Sequence, residues 1–416
     1  MVNPNRLWER LQKLSAIGAT ENGGVTRLSF TKEEREAKKL VASFMKEAGL
    51  SVREDEVGNL IGRREGISAG APAVLTGSHI DSVYDGGNFD GPLGVIAAIE
   101  AVQTFEEEGI ATEHPIEVIV FTDEEGARFS FGMIGSRGLA GILTREELEN
   151  QDRQGKSIAE AMAENGMDPE KYKDAARKKG GDVKAYIEVH IEQGKVLERE
   201  GLSVGVVSGL AGPLWLKFTV DGEAGHAGNT PMVGRHDAMV AASKMIVAIE
   251  EEVKRIGSTV GTVGQLQIFP GGINIIPGKV EFSLDLRDIN EETRDKAEQA
   301  ILQRSKAIAE EHGVRLSVED LQRIPPAPCS KEIQQAATEV LEENGMRAVT
   351  LPSGAGHDGM QFTNFCPIGM LFVRSKGGIS HDPAEWSSKE DCADGAKVLC
   401  GTLKKLAVAT FEVKSN

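Results

Sequence analysis

The sequence predicts an α/β protein: a mostly parallel sheet with helices on both faces, interrupted by an inserted ferredoxin-like α+β domain. Three observations lead there. Apolar strand-like runs alternate with helical stretches through the first half of the chain, the pattern of a parallel sheet covered by helices. The middle of the chain reads β-α-β-β-α-β instead. The tail then returns to one apolar strand and one amphipathic helix.

The elements follow in order. Residues 5–17 and 32–48 read as helices, the second opened by Thr31 as N-cap with Glu34 three residues on. Ala73–Ser78, Ile116–Thr122 and Ala185–Val189 are apolar runs that end in polar residues. A helix is expected at about 92–108, and several short ones between 136 and 178. Leu214–Val220 reads as a strand, and 237–256 as a helix capped by Asp237. Its apolar residues Ala242, Met245, Ile249 and Val253 recur at spacings of three and four. Strands are expected at 260–269 and 279–287 around the turn-rich PGGINIIPG. A helix capped by Asn290, with Glu291 and Glu292 in its first turn, runs to about 311. Arg315–Val318 closes this set, and a strand at 368–373 and a helix from about 389 finish the chain. The last helix carries the stripe Cys392, Ala396, Leu399, Leu403 and Leu406. SGLAGP (208–213) and Pro325, Pro326 and Pro328 mark the joints. Residues 1–210 with 327–416 are therefore expected to form one discontinuous domain and 211–326 the inserted one.

Composition narrows the function. The 416 residues are 40% hydrophobic and carry a net charge of −17, which disfavours a broad nucleic-acid or anionic-membrane surface. A small anionic substrate is not excluded, because one Arg reverses the field within a cleft. Cys329, Cys366, Cys392 and Cys400 form no CxxC pair and suit a reducing compartment. The start, MVNPNRLWERLQKL, is charged and amphipathic, without an apolar secretory core or a bilayer-length stretch, so a cytoplasmic location is expected.

Ligands in open α/β sheets gather beyond the carboxyl ends of strands, and candidate metal ligands stand there. GSHIDSVYDGGNFDGPLG brings His79 and Asp81, then Asp90 in a Gly-rich turn. FTDEEGARF ends a strand at Glu124 and Glu125; AYIEVHIEQG ends one at His190; GGISHDPAEW holds His381 in a loop. Imidazoles and carboxylates together suit borderline divalent ions such as Zn²⁺, Mn²⁺ or Co²⁺. Each has a plainer alternative: a solvated loop histidine, an acidic pair at a helix start for Glu124 and Glu125, a turn residue for Asp90, a turn cap for Asp81.

The segments GSHIDSVYDGGNFDGPLG, FTDEEGARF, HIEQG, EAGHAGNTPM, GGINIIPG and SHDPAEW, in this order, resemble the dinuclear-metal amidohydrolases of the M20 peptidase clan. The resemblance runs from GGVTRLSFT to the last helix and is closest to the branch of N-carbamoyl-L-amino acid hydrolases, allantoate amidohydrolases and β-ureidopropionases. It implies two divalent ions per subunit (Mn²⁺, Co²⁺, Ni²⁺ or Zn²⁺) bridged by Asp90, with His79 and His190 on one side and Glu125 and His381 on the other. It implies Glu124 as general base, with Asp81 hydrogen-bonded to the other nitrogen of His79. His226 resembles a residue that reaches an active site from the small domain, often the partner subunit's. Asn274, Arg287, Gln193 and the turn at Gly356 match substrate-binding positions, Arg287 being the cation for a substrate carboxylate. Ligands on one domain and a carboxylate anchor on the other imply hinge closure. The implied reaction is hydrolysis of the carbamoyl C–N bond of N-carbamoyl-L-amino acids, with allantoate, carbamoyl-β-alanine, acylamino acids and dipeptides as alternatives. A homodimer through the small domain is implied too, and the 237–256 helix could face either that interface or its own sheet.

Overall fold

The computed structural model describes residues 1–408 and 411–412. The chain divides into two compact units: Met1–Gly209 with Cys329–Leu351 and His357–Asn416, and Leu210–Pro328 with Pro352–Gly356.

The larger unit is built on the strands β1 (Ser51–Glu54), β2 (Leu60–Arg64), β3 (Ala73–His79), β4 (Ile116–Phe121), β5 (Val183–Ile191), β6 (Val204–Leu210) and β7 (Ile368–Val373). They lie in the order β1-β2-β4-β3-β5-β7-β6. The central four, β4-β3-β5-β7, are parallel, with antiparallel strands outside them. The alternation in β5 explains both its faces. Ala185, Ile187, Val189 and Ile191 enter the main core, whereas Glu188 and His190 point to the opposite face.

That core is closed by helices α1 (Pro4–Ser15), α2 (Lys32–Glu47), α3 (Pro92–Glu107), α4 (Lys331–Glu343) and α5 (Lys389–Leu406). Shorter pieces, Ile134–Leu139 and Asp358–Phe362, touch the sheet through β4 and β5. Thr31 caps α2 as expected, accepting from the Glu34 amide at 3.4 Å. Glu34 itself bonds the Phe30 amide and pairs with Lys38, both at 2.7 Å. The stripe Cys392, Ala396, Leu399, Leu403 and Leu406 is buried as expected.

α3 has no polar stripe because it is wrapped by β3, α1 and α5. Its one buried acid, Glu100, is therefore paired: it accepts from Arg6 Nε and Nη2, each at 2.7 Å, and from the Asn3 amide at 2.8 Å. Arg10 lies 4.0 Å away.

The smaller unit has the ferredoxin-like order. Its antiparallel sheet runs Leu266–Phe269, Lys279–Asp288, Gly212–Asp221, Arg315–Arg323. Helices Ala238–Ile256 and Glu291–His312 pack on the face formed by Leu214, Leu216, Phe218, Val220, Val280, Phe282, Leu284 and Leu286. The expected single strand over 260–269 is two, Val260–Thr262 and Leu266–Phe269, both paired with Lys279–Asp288. Four steps from Thr262 to Leu266 oppose three from Asp285 to Phe282, so one residue is extra and the strand bulges. The last strand extends beyond Val318 to Arg323, with another irregularity between Asp320 and Gln322. Ala242, Met245, Ile249 and Val253 pack on the unit's own sheet, while Val240 and Val247 of the same helix stay exposed. Among the described residues no helix is long and apolar enough to cross a membrane.

Removing Glu100 takes from the half-buried Arg6 one of its two acids, Glu107 being the other, and from the Asn3 amide its acceptor. Glu100→Ala is expected to cost about 1.5–3 kcal/mol of unfolding free energy, the scale of lost hydrogen bonds to a charged group, read as a lower urea midpoint at unchanged m-value. An unmoved midpoint would show that the Arg6–Glu100 pair contributes nothing net.

Candidate metal centre

The carboxyl edge of the parallel strands assembles side chains from four distant segments. His79 ends β3, His190 is the penultimate residue of β5, Glu124 and Glu125 follow β4, and His381 lies in the loop after β7. Asp90 sits just before α3, across the turn at Gly91. The Gly91 backbone is left-handed (φ 82°), and a Cβ there would lie 2.5 Å from the His79 ring. Only glycine meets both demands.

Main-chain atoms set the imidazoles. His79 Nδ1 is 3.0 Å from the Asp81 carbonyl oxygen, and His190 Nδ1 is 2.9 Å from that of Ile191. A carbonyl can only accept, so Nδ1 carries the hydrogen and Nε2 can offer a lone pair. Among the described residues neither buried Nε2 atom has a hydrogen-bond partner, yet they face Asp90 Oδ1 at 3.5 Å from His79 and 3.0 Å from His190. On the other side, His381 Nε2 lies 3.3 Å from Asp90 Oδ2 and 3.6 Å from Glu125 Oε2. Two groups capable of holding a cation result, His79–Asp90–His190 and Asp90–Glu125–His381, with Asp90 common to both.

The electrostatics call for positive charge. Asp81, Asp90, Asp123, Glu124, Glu188, Asp358 and Glu385 are buried here, with Glu125 beside them. Among the described residues no Lys or Arg forms an ion pair with any of them. Burial, opposed by His79 and reinforced by Glu125, pushes the Glu124 carboxyl well above its usual range. Burial and the Asp90 charge push Glu125 up to about 7. Asp90 goes the other way: burial acts against its charge, but the imidazoles, led by His190, hold it well below the usual carboxylate range. The hydrogen bond to Asp90 brings His381 up to about 9.

These residues fit divalent cations. Donors about 2.1 Å from an ion at tetrahedral angles lie about 3.4 Å apart, and the nitrogen–oxygen separations around Asp90 bracket that value. A mixed imidazole and carboxylate set suits Zn²⁺, Mn²⁺, Co²⁺ or Ni²⁺.

Other candidate residues stand differently from expectation. The Asp81 carboxylate does not hold His79; its nearer oxygen is 3.7 Å from Nδ1. It accepts instead from the amides of Glu124 (3.3 Å) and Glu125 (3.1 Å), fixing the turn that carries the acids. Gln193, expected at substrate, donates through Nε2 to Asp90 Oδ2 at 2.7 Å and to Ser380 Oγ at 3.2 Å. Non-glycine residues Asp123, Gln193 and His381 have left-handed backbones with φ of 54–55°, strain of a kind that collects at functional sites.

His226, Asn274, Arg287 and Gly356 belong to the smaller unit. His226 Nδ1 accepts from the amides of Gly228 (3.1 Å) and Asn229 (3.2 Å), which leaves Nε2 as an N–H donor. Asn274 is exposed, and its main-chain carbonyl accepts from the Ala227 amide at 3.0 Å. Arg287 Nε and Nη2 are taken by Asp285 at 2.9 and 2.8 Å, and Nη1 donates to the Gly354 carbonyl at 2.6 Å, two residues before Gly356.

The sequence reading missed several groups. Glu188 accepts from Ser78 Oγ (2.6 Å) and Tyr186 Oη (2.8 Å), and its signal was an acid inside the run AYIEV. The His357 ring lies 4.4 Å from that of His190; burial, then His190, holds its pKa well below the usual imidazole value. Glu385, visible in SHDPAEW, binds the Asp90 loop.

Residues 75–405 match peptidase family M20/M25/M40. The chain is 59% identical to an N-carbamoyl-L-amino acid amidohydrolase of Geobacillus stearothermophilus, over 98% of this chain and 99% of the relative. It is 35% identical to an allantoate amidohydrolase of Bacillus subtilis, over 97% and 98% of the two chains. A crystal structure of an amidase of the hydantoinase/carbamoylase family from Burkholderia multivorans superposes with a TM-score of 0.90 at 36% identity, covering 98% of each chain. With its sheet edge, its shared aspartate and this full-length similarity, the chain belongs to peptidase family M20/M25/M40.

Proposed function

We propose that the protein hydrolyses the carbamoyl C–N bond of N-carbamoyl-L-amino acids, giving the L-amino acid, CO2 and ammonia. The observation that carries the chemistry is a carboxylate shared by two donor groups, with Glu124 beside them but in neither. The 59% identity to a carbamoyl amino acid hydrolase supports the substrate over allantoate, at 35%.

Asp90 would be shared by two divalent cations, one with His79 and His190, the other with Glu125 and His381. Bound there, such cations polarise a carbonyl and lower the pKa of water. Glu124, 3.7 Å from His79 Nε2 through Oε2, takes the proton of the attacking water and returns it to the leaving nitrogen. Water oxygen bonds to the carbamoyl carbon as the C–N bond to the amino acid breaks, and the carbamic acid released falls apart to CO2 and ammonia. Asp81 steadies the base through the amides of Glu124 and Glu125.

On the smaller unit, Arg287 and Asn274 are assigned to the substrate carboxylate, His226 to the developing oxyanion and the turn at Gly356 to backbone contacts. Asp285 orients Arg287 and leaves N–H groups on Nη1 and Nη2 for an anion. The exposed Val240 and Val247 support a dimer contact on that unit.

The deciding experiment is ammonia release from N-carbamoyl-L- and D-amino acids, N-carbamoyl-β-alanine, allantoate and dipeptides, with apo-protein reloaded with Mn²⁺, Co²⁺, Ni²⁺ or Zn²⁺. N-carbamoyl-L-amino acids are expected to turn over fastest; preference for allantoate would overturn the substrate and leave the centre standing. Glu124→Gln should keep its cations and lose about 10²- to 10⁴-fold in kcat, measured alongside metal content. Arg287→Ala should raise KM about 10- to 100-fold, the loss of one charge-assisted contact, with a smaller effect on kcat. An unchanged KM would remove Arg287 from the substrate.

A further inference from the structure

Glu385 is buried at 3% exposure. Its Oε1 accepts from the main-chain amides of Phe89 (2.8 Å) and Asp90 (3.1 Å). Its Oε2 accepts from Ser380 Oγ at 2.9 Å, and the same hydroxyl lies 2.8 Å from Asp90 Oδ2. Ser380 has one hydroxyl hydrogen and donates it to one carboxylate or the other, which holds its oxygen between them. Gln193 Nε2 donates to both Asp90 Oδ2 (2.7 Å) and Ser380 Oγ (3.2 Å). Among the described residues no Lys or Arg pairs with Glu385, so its partners are two amides and one hydroxyl. The turn below is shaped around it: a Cβ on Gly87 would fall inside the Glu385 carboxylate, the nearest group at that position. Gly87 does not have a left-handed backbone, so the carboxylate, not the conformation, calls for glycine there.

From this we infer that Glu385 is a positioning residue for Asp90: by fixing the Phe89–Asp90 main chain and, through Ser380, one Asp90 oxygen, it aims that carboxylate at both donor groups. Glu385 also joins the Asp90 turn to the loop that carries His381, four residues before it, so one side chain registers ligands from two segments of the chain. The inference rests on the reading that two cations share Asp90. Oriented ligands bind cations more tightly than loose ones, and loss of such a supporting contact costs about 10- to 100-fold in affinity.

The test measures Mn²⁺ affinity and stoichiometry by calorimetry on the full chain, with the melting temperature of each apo-protein. Glu385→Ala should lose about 10- to 100-fold in Mn²⁺ affinity. Gly87→Ala, which keeps every charge but displaces the Glu385 carboxylate, should lose a similar factor. Glu385→Gln keeps an oxygen for both amides and should stay within about threefold of the parent, since the contact is one of geometry. Should Glu385→Ala fail to fold, Gly87→Ala and Glu385→Gln carry the comparison. Parent-like affinity in Gly87→Ala, equal losses in Glu385→Gln and Glu385→Ala, or affinity losses that simply follow apo melting temperature would each overturn the assignment. A parent protein that takes up one Mn²⁺ overturns the shared-Asp90 reading alone, and the Glu385 effect is then read on that single ion.

Discussion

Buried carboxylates that, among the described residues, form no ion pair with Lys or Arg are the constraint around which the carboxyl edge of the larger unit's sheet is arranged. Carboxylates crowd the carboxyl ends of β3, β4 and β5, and among the described residues the cationic groups in ion-pair range are imidazoles, with Arg27 and Arg128 acting on Asp81 and Asp123 from farther away. Uncompensated buried charges cost several kcal/mol each, so the region holds its charge through protons or through cations in their place. The raised pKa of His79, where Glu124 and Asp90 outweigh burial, expresses the first solution. The two ligand groups meeting at Asp90 offer the second. Stability elsewhere makes that concentration tolerable: the buried apolar run Pro92–Ile99 of α3 and the paired Glu100 pack into the main core.

Sequence and structure agree most closely where both faces of an element are buried. β3, β4 and α3 stand within two residues of expectation because apolar runs bounded by polar residues carry the signal. Agreement falls off where exposure removes it. The strand Arg315–Arg323 is mostly exposed, so only its pairing with Gly212–Asp221 reveals its length. The bulge between Thr262 and Leu266 depends on cross-strand register, which no local pattern encodes.

The site was legible as letters more than as roles. His79, Glu125 and His190 stand out at or just past strand ends, and Asp90 and His381 in a turn and a loop, but segments so far apart are joined by parallel topology and not by spacing. Asp285 was readable as a neighbour of Arg287, since residues two apart on a strand share a face; that pair changes what the guanidinium has free. Gln193 and Glu385 both lay in quoted motifs, yet their bonds to the Asp90 carboxylate and main chain appear only in three dimensions.

The imidazole orientation has a consequence for how this centre tolerates change. Backbone oxygens hold Nδ1 of both His79 and His190, and every amino acid supplies a backbone oxygen. Replacing the side chain at position 81 or 191 therefore leaves the choice of metal-facing nitrogen intact while the strand ends keep their path. A change of side chain at position 81 is felt instead by the acidic turn that its carboxylate ties down, so it loosens Glu124 and Glu125 before it disturbs the imidazoles.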